Sequence, residues 1–381
     1  MRFSGDVAVV GAGLIGLAIA DELARRGAQV RVFERDEPGR AASWAGAGML
    51  APYTERIDDD AMLALCAESL RLYPEFAARV RKISGVDPHL HLDGIVNAAF
   101  TDERERARRE HAEELRARGI ACDVLDRREA LLAEPALGRT VRSALLVHGE
   151  GYVDNRRLGR ALAAACDARG VAIVRGARSL VVECDERRVL GVRTDRGFAP
   201  ASYVIVAAGA WSNAIDGIPT RCRPPVRFVK GQMLALAAPR GFLKRTTWVP
   251  GAYLVPREDG RLLVGATVEP DVEDDRVTAS GVRALLDAAL EAAPSLGAFT
   301  LTEMWAGLRP GTPDERPILG PTGVDGLIMA TGHYRNGILL TAVTAQLIAD
   351  FVASGDVSPL TPWLLGRFEK EGAATARMTS T

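Results

Sequence analysis

A chain of 381 residues is longer than one ordinary hydrophobic core requires, so two intertwined domains are the expectation. Apolar residues at 48% and charged residues at 25% describe a globular protein, neither disordered nor fibrous. A formal net charge of −1 leaves no global field to draw nucleic acid or an anionic membrane, and no run of about 18 uncharged apolar residues offers a membrane span.

Val7–Val10 is a short continuous apolar run, the pattern of a strand buried on both faces. It ends in glycines, which reads as strand and turn and not as a secretory leader. Helical spacing follows from Leu14 to Arg26, and Gly27 stops it before a second strand at Val30–Phe33. Residues 58–82 read as a helix, the dense charges of Asp102–Arg118 as a solvated one, and Asp154–Arg169 as an amphipathic one. Val171–Val174 and Ser179–Glu183 are expected as a strand pair, and Tyr203–Ala208 as a further buried strand.

From about 222 to 308 the texture changes to alternating strands. Gln232–Leu236, Ala252–Val255 and Arg261–Val264 fit an antiparallel sheet, with Arg257–Gly260 as a hairpin turn. Leu327–Ala330 is a strand, Gly332–Gly337 a loop and Ile338–Phe351 a helix. The fold class is therefore α/β: a Rossmann-like nucleotide-binding domain with a second α+β substrate domain on a mostly antiparallel sheet. The expected division assigns 1–82, 146–220 and 313–368 to the first and 83–145 and 221–312 to the second, with a polar, frayed tail at 369–381.

Five cysteines, Cys66, Cys122, Cys166, Cys184 and Cys222, stand scattered with no C-x-x-C pair. That is the usage of a reducing compartment, so a cytoplasmic location is expected, and no metal site is.

Gly11-Ala12-Gly13-Leu14-Ile15-Gly16 is a G-x-G-x-x-G between a buried strand and a helix, with Glu34 closing the next strand 18 residues past Gly16. In that setting the glycines serve a tight turn, close approach to a pyrophosphate and close helix–strand packing. The helix N-terminus holds the phosphate charge. Glu34 accepts from ribose hydroxyls and repels a 2′-phosphate, which disfavours NADP. Two later segments separate a flavin from a nicotinamide. Ser43-Trp44-Ala45-Gly46-Ala47-Gly48-Met49 is small enough for a flat ring to approach. Gly332-His333-Tyr334-Arg335-Asn336-Gly337, between strand and helix, brings a second helix N-terminus towards negative charge on a reduced flavin.

At these residues the chain resembles the glycine oxidases of thiamine biosynthesis, within the D-amino acid oxidase superfamily. The resemblance rests on the first glycine motif, Ala47–Leu50, Tyr253–Arg257, Gly265–Thr267, Trp305–Thr312 and Gly332–Leu340, in order over nearly the whole chain. It implies non-covalent FAD held at Gly11, Gly13, Leu14, Ile15, Gly16, Glu34, Arg35, Ala42, Ser43, Ala47, Gly48 and Met49. Ser179 by its backbone, and His333, Tyr334, Arg335, Asn336, Gly337, Ile338 and Leu339, complete the implied set. No cysteine stands near the C-terminal flavin loop to attach it covalently.

Oxidising an amino acid needs a grip on its carboxylate and a Cα–H held over the flavin. A planar guanidinium meets a carboxylate with two parallel hydrogen bonds. The resemblance makes Arg309 that group, with Tyr253 supplying a hydroxyl and Arg335 the pocket edge. It further implies hydride transfer from a neutral amine to flavin N5, without a dedicated base, giving glyoxylate, ammonia and hydrogen peroxide with O2 as acceptor. A homo-oligomer, often a tetramer, is the family's assembly. Gly251 and Val268 are smaller than the residues of better-known members, and the expectation is a wider pocket that also admits sarcosine or small D-amino acids. Two rival readings use the same motifs: a D-amino acid dehydrogenase passing electrons to a non-oxygen acceptor, and an FAD enzyme of modified tRNA. The second requires a basic, aromatic-lined docking surface, which a net charge of −1 disfavours.

Overall fold

A computed structural model describes residues 5–368. The expected tail, 369–381, lies outside the described residues.

The continuous apolar runs form one sheet in the order Ile318–Pro321, Leu327–Thr331, Tyr203–Val206, Asp6–Val10, Gln29–Glu34 and Ala172–Arg175. All neighbours are parallel except the first pair. Successive side chains point to opposite faces of a strand, and here each face has its own core. Val7, Val9, Val30, Val32 and Ile205 pack with the helices Leu14–Arg25, Asp60–Ser84, Asn155–Ala168 and Thr341–Ser354. Ala8, Val10, Val204 and Val206 pack with the small sheet of Val181–Cys184, Val189–Thr194 and Gly197–Pro200. Burial on both sides is why these strands show no polar alternation.

The second large sheet runs Glu269–Pro270, Arg227–Ala237, Arg261–Gly265, Ala252–Pro256, Thr246–Val249, Ile95–Ala99, Ser143–Val147 and Cys122–Asp126. The long strand Thr300–Gly311 pairs along Arg227–Ala237. Pairing is antiparallel except between Thr246–Val249 and Ile95–Ala99. One face, with Leu234, Leu254 and Val264, buries the helix Ala279–Ala292. The other, with Met233, Tyr253 and Trp305, faces the first sheet's loops. A small sheet of Met49–Leu50, Gly151–Val153 and Leu90–His91 joins the two halves.

Two expectations change. The strands near 172 and 181 do not pair: the chain turns at Gly176 (φ +74°), leaving Ala172–Arg175 at the edge of the six-stranded sheet and Val181–Cys184 in the three-stranded one. The last long helix is Thr341–Ser354 rather than Ile338–Phe351, closed by Gly355 in the left-handed conformation (φ +74°).

Candidate active site

The first glycine motif opens onto a groove of about 1650 Å³, counting the open solvent at its mouth. Gly11, Gly13, Leu14, Ile15, Glu34, Arg35, Ala42, Ser43 and the His333–Arg335 turn line it. Glu34, at the end of its strand, is fixed by accepting from Ala12 N at 2.7 Å and Asp36 N at 2.8 Å. Ser43 Oγ accepts from Leu14 N at 3.0 Å, so the loop after Glu34 is stitched to the helix start. Arg35 lies over the Trp211 ring, 4.9 Å from its centroid, at the side of the groove. Of the implied contacts, Ala47, Gly48, Met49 and Asn336 line only the cavity that adjoins it, and Gly16, Ser179 and Leu339 line neither. Gly16 sits beneath Gly11, Ser179 is exposed while its neighbours Arg178 and Leu180 reach the wall, and Leu339 is buried in the helical core. The groove has the helix N-terminus and the acidic strand end that a dinucleotide requires. The close passage of Gly11 under Ala207, where a Cβ would lie 2.5 Å from Ala207 O, fits the same use.

A second cavity, about 620 Å³ with open solvent at its mouth, adjoins that groove and shares Arg309, Arg335, Ala42, Gly46 and Ile338 with it. Ala47, Gly48, Met49, Tyr253 and Asn336 line it as well. Strand register explains the convergence. Gly231 pairs with Gly307, Met233 with Trp305, and Met233 and Tyr253 each with Gly265, so these positions alternate onto one face. The glycines clear space on it: a Cβ on Gly231 would lie 2.3 Å from the Arg309 guanidinium, and one on Gly265 would lie 2.1 Å from Met233 Sδ. Arg309 Nη1 donates to Thr267 O at 3.2 Å and to Lys230 O at 3.3 Å, leaving its other donors for a ligand. Tyr253 Oη donates to Met233 Sδ at 3.4 Å, and burial raises its phenol, with Arg309 and Arg335 pulling the other way.

Several site residues carry no sequence motif. Glu55 lines the cavity 3.8 Å from Arg335, and burial raises its carboxyl against the opposing pull of Arg335 and Arg309. Two guanidiniums face one carboxyl here, so the cavity wall carries an excess of positive charge. The loop carrying Ser43 to Ala47 is clamped from behind. Asn155 Nδ2 donates to Ser43 O (2.7 Å) and Trp44 O (3.1 Å), Arg257 Nη2 to Ala47 O (2.8 Å), and Trp305 Nε1 to Ala45 O (2.9 Å). Arg257 and Trp305 belong to segments that carried the resemblance, but the pinning role of each becomes visible only in three dimensions.

His333 is 3% exposed, its Nε2 lies 3.1 Å from Thr344 Oγ1, and burial lowers its pKa to about 3. It is neutral at physiological pH. Tyr334 and Asn336 form a short 3-10 turn, so what meets the groove is this turn and not the N-terminus of the long helix. Gly251 and Val268 line neither cavity: Gly251 makes the turn before Ala252–Pro256 at φ +79°, and Val268 is exposed. Their small size leaves the pocket width unchanged.

Glu55 is held in place by a second buried acid. Glu150 Oε1 accepts from Tyr53 N at 2.5 Å and Thr54 N at 3.0 Å, and Thr54 Oγ1 donates to Oε2. Burial pushes the Glu150 carboxyl up from 4.5 to about 7, despite these hydrogen bonds. A raised folded-state value means that the protonated form is favoured on folding. The stabilisation is complete below 4.5 and is lost as pH rises through 7, on the order of 3 kcal/mol in all. Melting temperature is expected to fall across that interval, and Glu150→Gln to flatten the slope; an unchanged slope in the variant would assign it to other groups.

Among the described residues no helix is long and apolar enough to cross a membrane, and no cluster of metal-ligating side chains occurs. The family model for FAD dependent oxidoreductases matches residues 6–351. A glycine oxidase from Pseudomonas aeruginosa is 37% identical over 359 residues, covering 92% of this chain and 95% of that protein. The bifunctional protein ThiO/ThiG of Trichormus variabilis is 36% identical over 381 residues, covering 98% of this chain. The chain spans 57% of that relative's length. The crystal structure of glycine oxidase from Geobacillus kaustophilus superposes with a TM-score of 0.88 at 35% identity, over 95% of this chain and 98% of that one. A family match over nearly the whole chain, with a dinucleotide groove built on the first glycine motif, shows that this protein belongs to the FAD dependent oxidoreductase family, with FAD as its cofactor.

Proposed function

We propose that the chain oxidises glycine to the imine that hydrolyses to glyoxylate and ammonia, with O2 reduced to hydrogen peroxide, and acts on sarcosine and small D-amino acids in the same way, each giving its own 2-oxo acid and amine. The observation that carries this reading is the position of Arg309: a half-buried guanidinium in the wall shared by the dinucleotide groove and the adjoining cavity. Bound FAD supplies the two-electron acceptor for the Cα hydrogen. The chain's own residues do the rest by placement. Arg309 would hold the carboxylate, with Tyr253 in the same cavity wall to share it and Arg335 with Glu55 lining the remaining side. Burial within the cavity strengthens the charge pairing by excluding water. A neutral, Thr344-bonded His333 supports a mechanism without a histidine base.

Glyoxylate imine is a precursor suited to thiazole assembly, and thiamine biosynthesis is the setting the resemblance implies. Five free cysteines, four of them buried, support a reducing, cytoplasmic location. The test is an amine panel of glycine, sarcosine and D-alanine on FAD-loaded protein, with peroxide and oxygen uptake measured beside a dye acceptor under nitrogen. Peroxide release with glycine is the expected outcome. Dye reduction without oxygen uptake would make the protein a dehydrogenase, and no turnover of any amine would remove the reading altogether.

A further inference from the structure

A third concavity, a groove of about 810 Å³ counting the open solvent at its mouth, lies between the segments 91–94, 151–152, 240–246 and 256–258, and shares no lining residue with the other two. Its chemistry is one-sided. Arg240, Lys244, Arg245 and Arg257 line it against Asp93 and Glu258. Glu258 lies 2.9 Å from His91 and 3.3 Å from His89, and Arg245 lies 3.8 Å from the buried Glu134, whereas Arg240 and Lys244 form no ion pair among the described residues, which leaves the positive side in excess.

Two lining side chains are more than nine-tenths buried and hold a polar atom with no partner among the described residues: Arg257 (5% exposed) at Nη1 and Thr246 (1% exposed) at Oγ1. Both can donate. A buried donor without an acceptor costs about 1–3 kcal/mol, more when charged. Neither atom is itself open to solvent, so reaching it takes a small shift of the wall, but what each lacks is an acceptor, and the open cations beside them lack a negative charge. We propose that the groove binds a small acceptor-rich anion, a phosphate or a dicarboxylate, at a site separate from the catalytic cavity. Arg257 gives it a route to that cavity. Its Nη2 holds Ala47 O at 2.8 Å, and its guanidinium lies 4.8 Å from the centre of the Tyr152 ring, whose stack with His91 forms part of the groove.

The experiment titrates FAD-loaded protein with inorganic phosphate and, separately, malonate, at ionic strength held constant with chloride, because exposed cations respond to any salt. Saturable binding is expected with a Kd on the order of 1 mM. At tenfold excess over Kd the melting temperature should rise by about 1–3 °C. The tighter of the two anions identifies the source. The double substitution Arg240→Gln with Lys244→Gln should weaken binding about tenfold or more while leaving the flavin spectrum and the glycine KM unchanged. Arg309→Ala should bind the anion as well as the parent does. Three results would overturn the site: no saturable response beyond chloride, as for a merely hydrated groove; equal binding in the double variant; or loss of binding in Arg309→Ala, which would place the anion in the catalytic cavity.

Discussion

Arg309→Ala is expected to lower kcat/KM for glycine by roughly 30-fold to several thousand-fold, equivalent to about 2–5 kcal/mol, while the yellow flavin spectrum survives. The size follows from leaving a carboxylate without the group that fixes both its position and its orientation. Flavin is retained because the motif that opens the groove and the Ser43 stitch do not depend on this side chain. Gly231→Ala provides an independent route to the same defect. A Cβ at that position would lie 2.3 Å from Arg309 Nη1 and Nη2, and the far end of an arginine moves more easily than the strand beneath it. Folding stability should change little, and activity should fall nearly as far as in Arg309→Ala. Combining the two should add almost nothing, since both remove the same contact. Steady-state kinetics, absorbance and thermal melting on the three variants distinguish the outcomes. If flavin and activity vanish together in Arg309→Ala, the arginine is structural and the substrate grip lies elsewhere.

The parts of this arrangement that could be read in the sequence are those set by local pattern. Val7–Val10, Gly11 to Gly16 and Glu34 announce a nucleotide site because strand, turn, helix and acid follow one another within 34 residues. Tyr203–Val206 is legible as a buried strand for the same reason, since both of its faces meet apolar cores. What stayed hidden depends on register between distant strands or on single polar contacts. Nothing in Tyr53-Thr54-Glu55 points into a catalytic cavity until Glu150, 96 residues from Thr54, receives the turn's hydrogen bonds. Gly231 looks like an interruption in a strand until its pairing with Gly307 shows the room both leave. Asn155 reads as the first turn of an amphipathic helix, yet its amide holds the loop expected to meet the flavin ring. Gly251 shows the opposite failure: its small size suggested a wider pocket, and a turn with positive φ explains it instead.

Gly16→Ala is expected to abolish stable FAD binding, with a loss of over 100-fold in affinity. Gly16 touches no wall of the groove, so the effect comes from packing. A Cβ there would lie 2.0 Å from Gly11 O, a backbone atom, and 3.4 Å from Val9 Cγ1. Neither the strand end nor the helix start can yield cheaply, because Val9 is fully buried in the sheet and Leu17 N is bonded to Gly13 O at 2.9 Å. Relieving the overlap requires the helix to move away from the strand, which costs about 3 kcal/mol at a packed contact and tilts the N-terminal N–H groups away from the pyrophosphate. Gly13→Ala is the informative contrast. Its Cβ would meet only Ser43 Oγ at 3.2 Å, the tip of a side chain, so the apoprotein should fold normally and any loss of FAD must come from the ligand's own approach. Gly27→Ala, with no atom within 4 Å but a φ of +93°, should cost about 1 kcal/mol in stability and nothing in FAD affinity. Titration of the three apoproteins with FAD, followed by flavin fluorescence, orders them. A Gly16→Ala protein that binds FAD within a few-fold of the parent would show that the helix does not need this close contact to present its N-terminus.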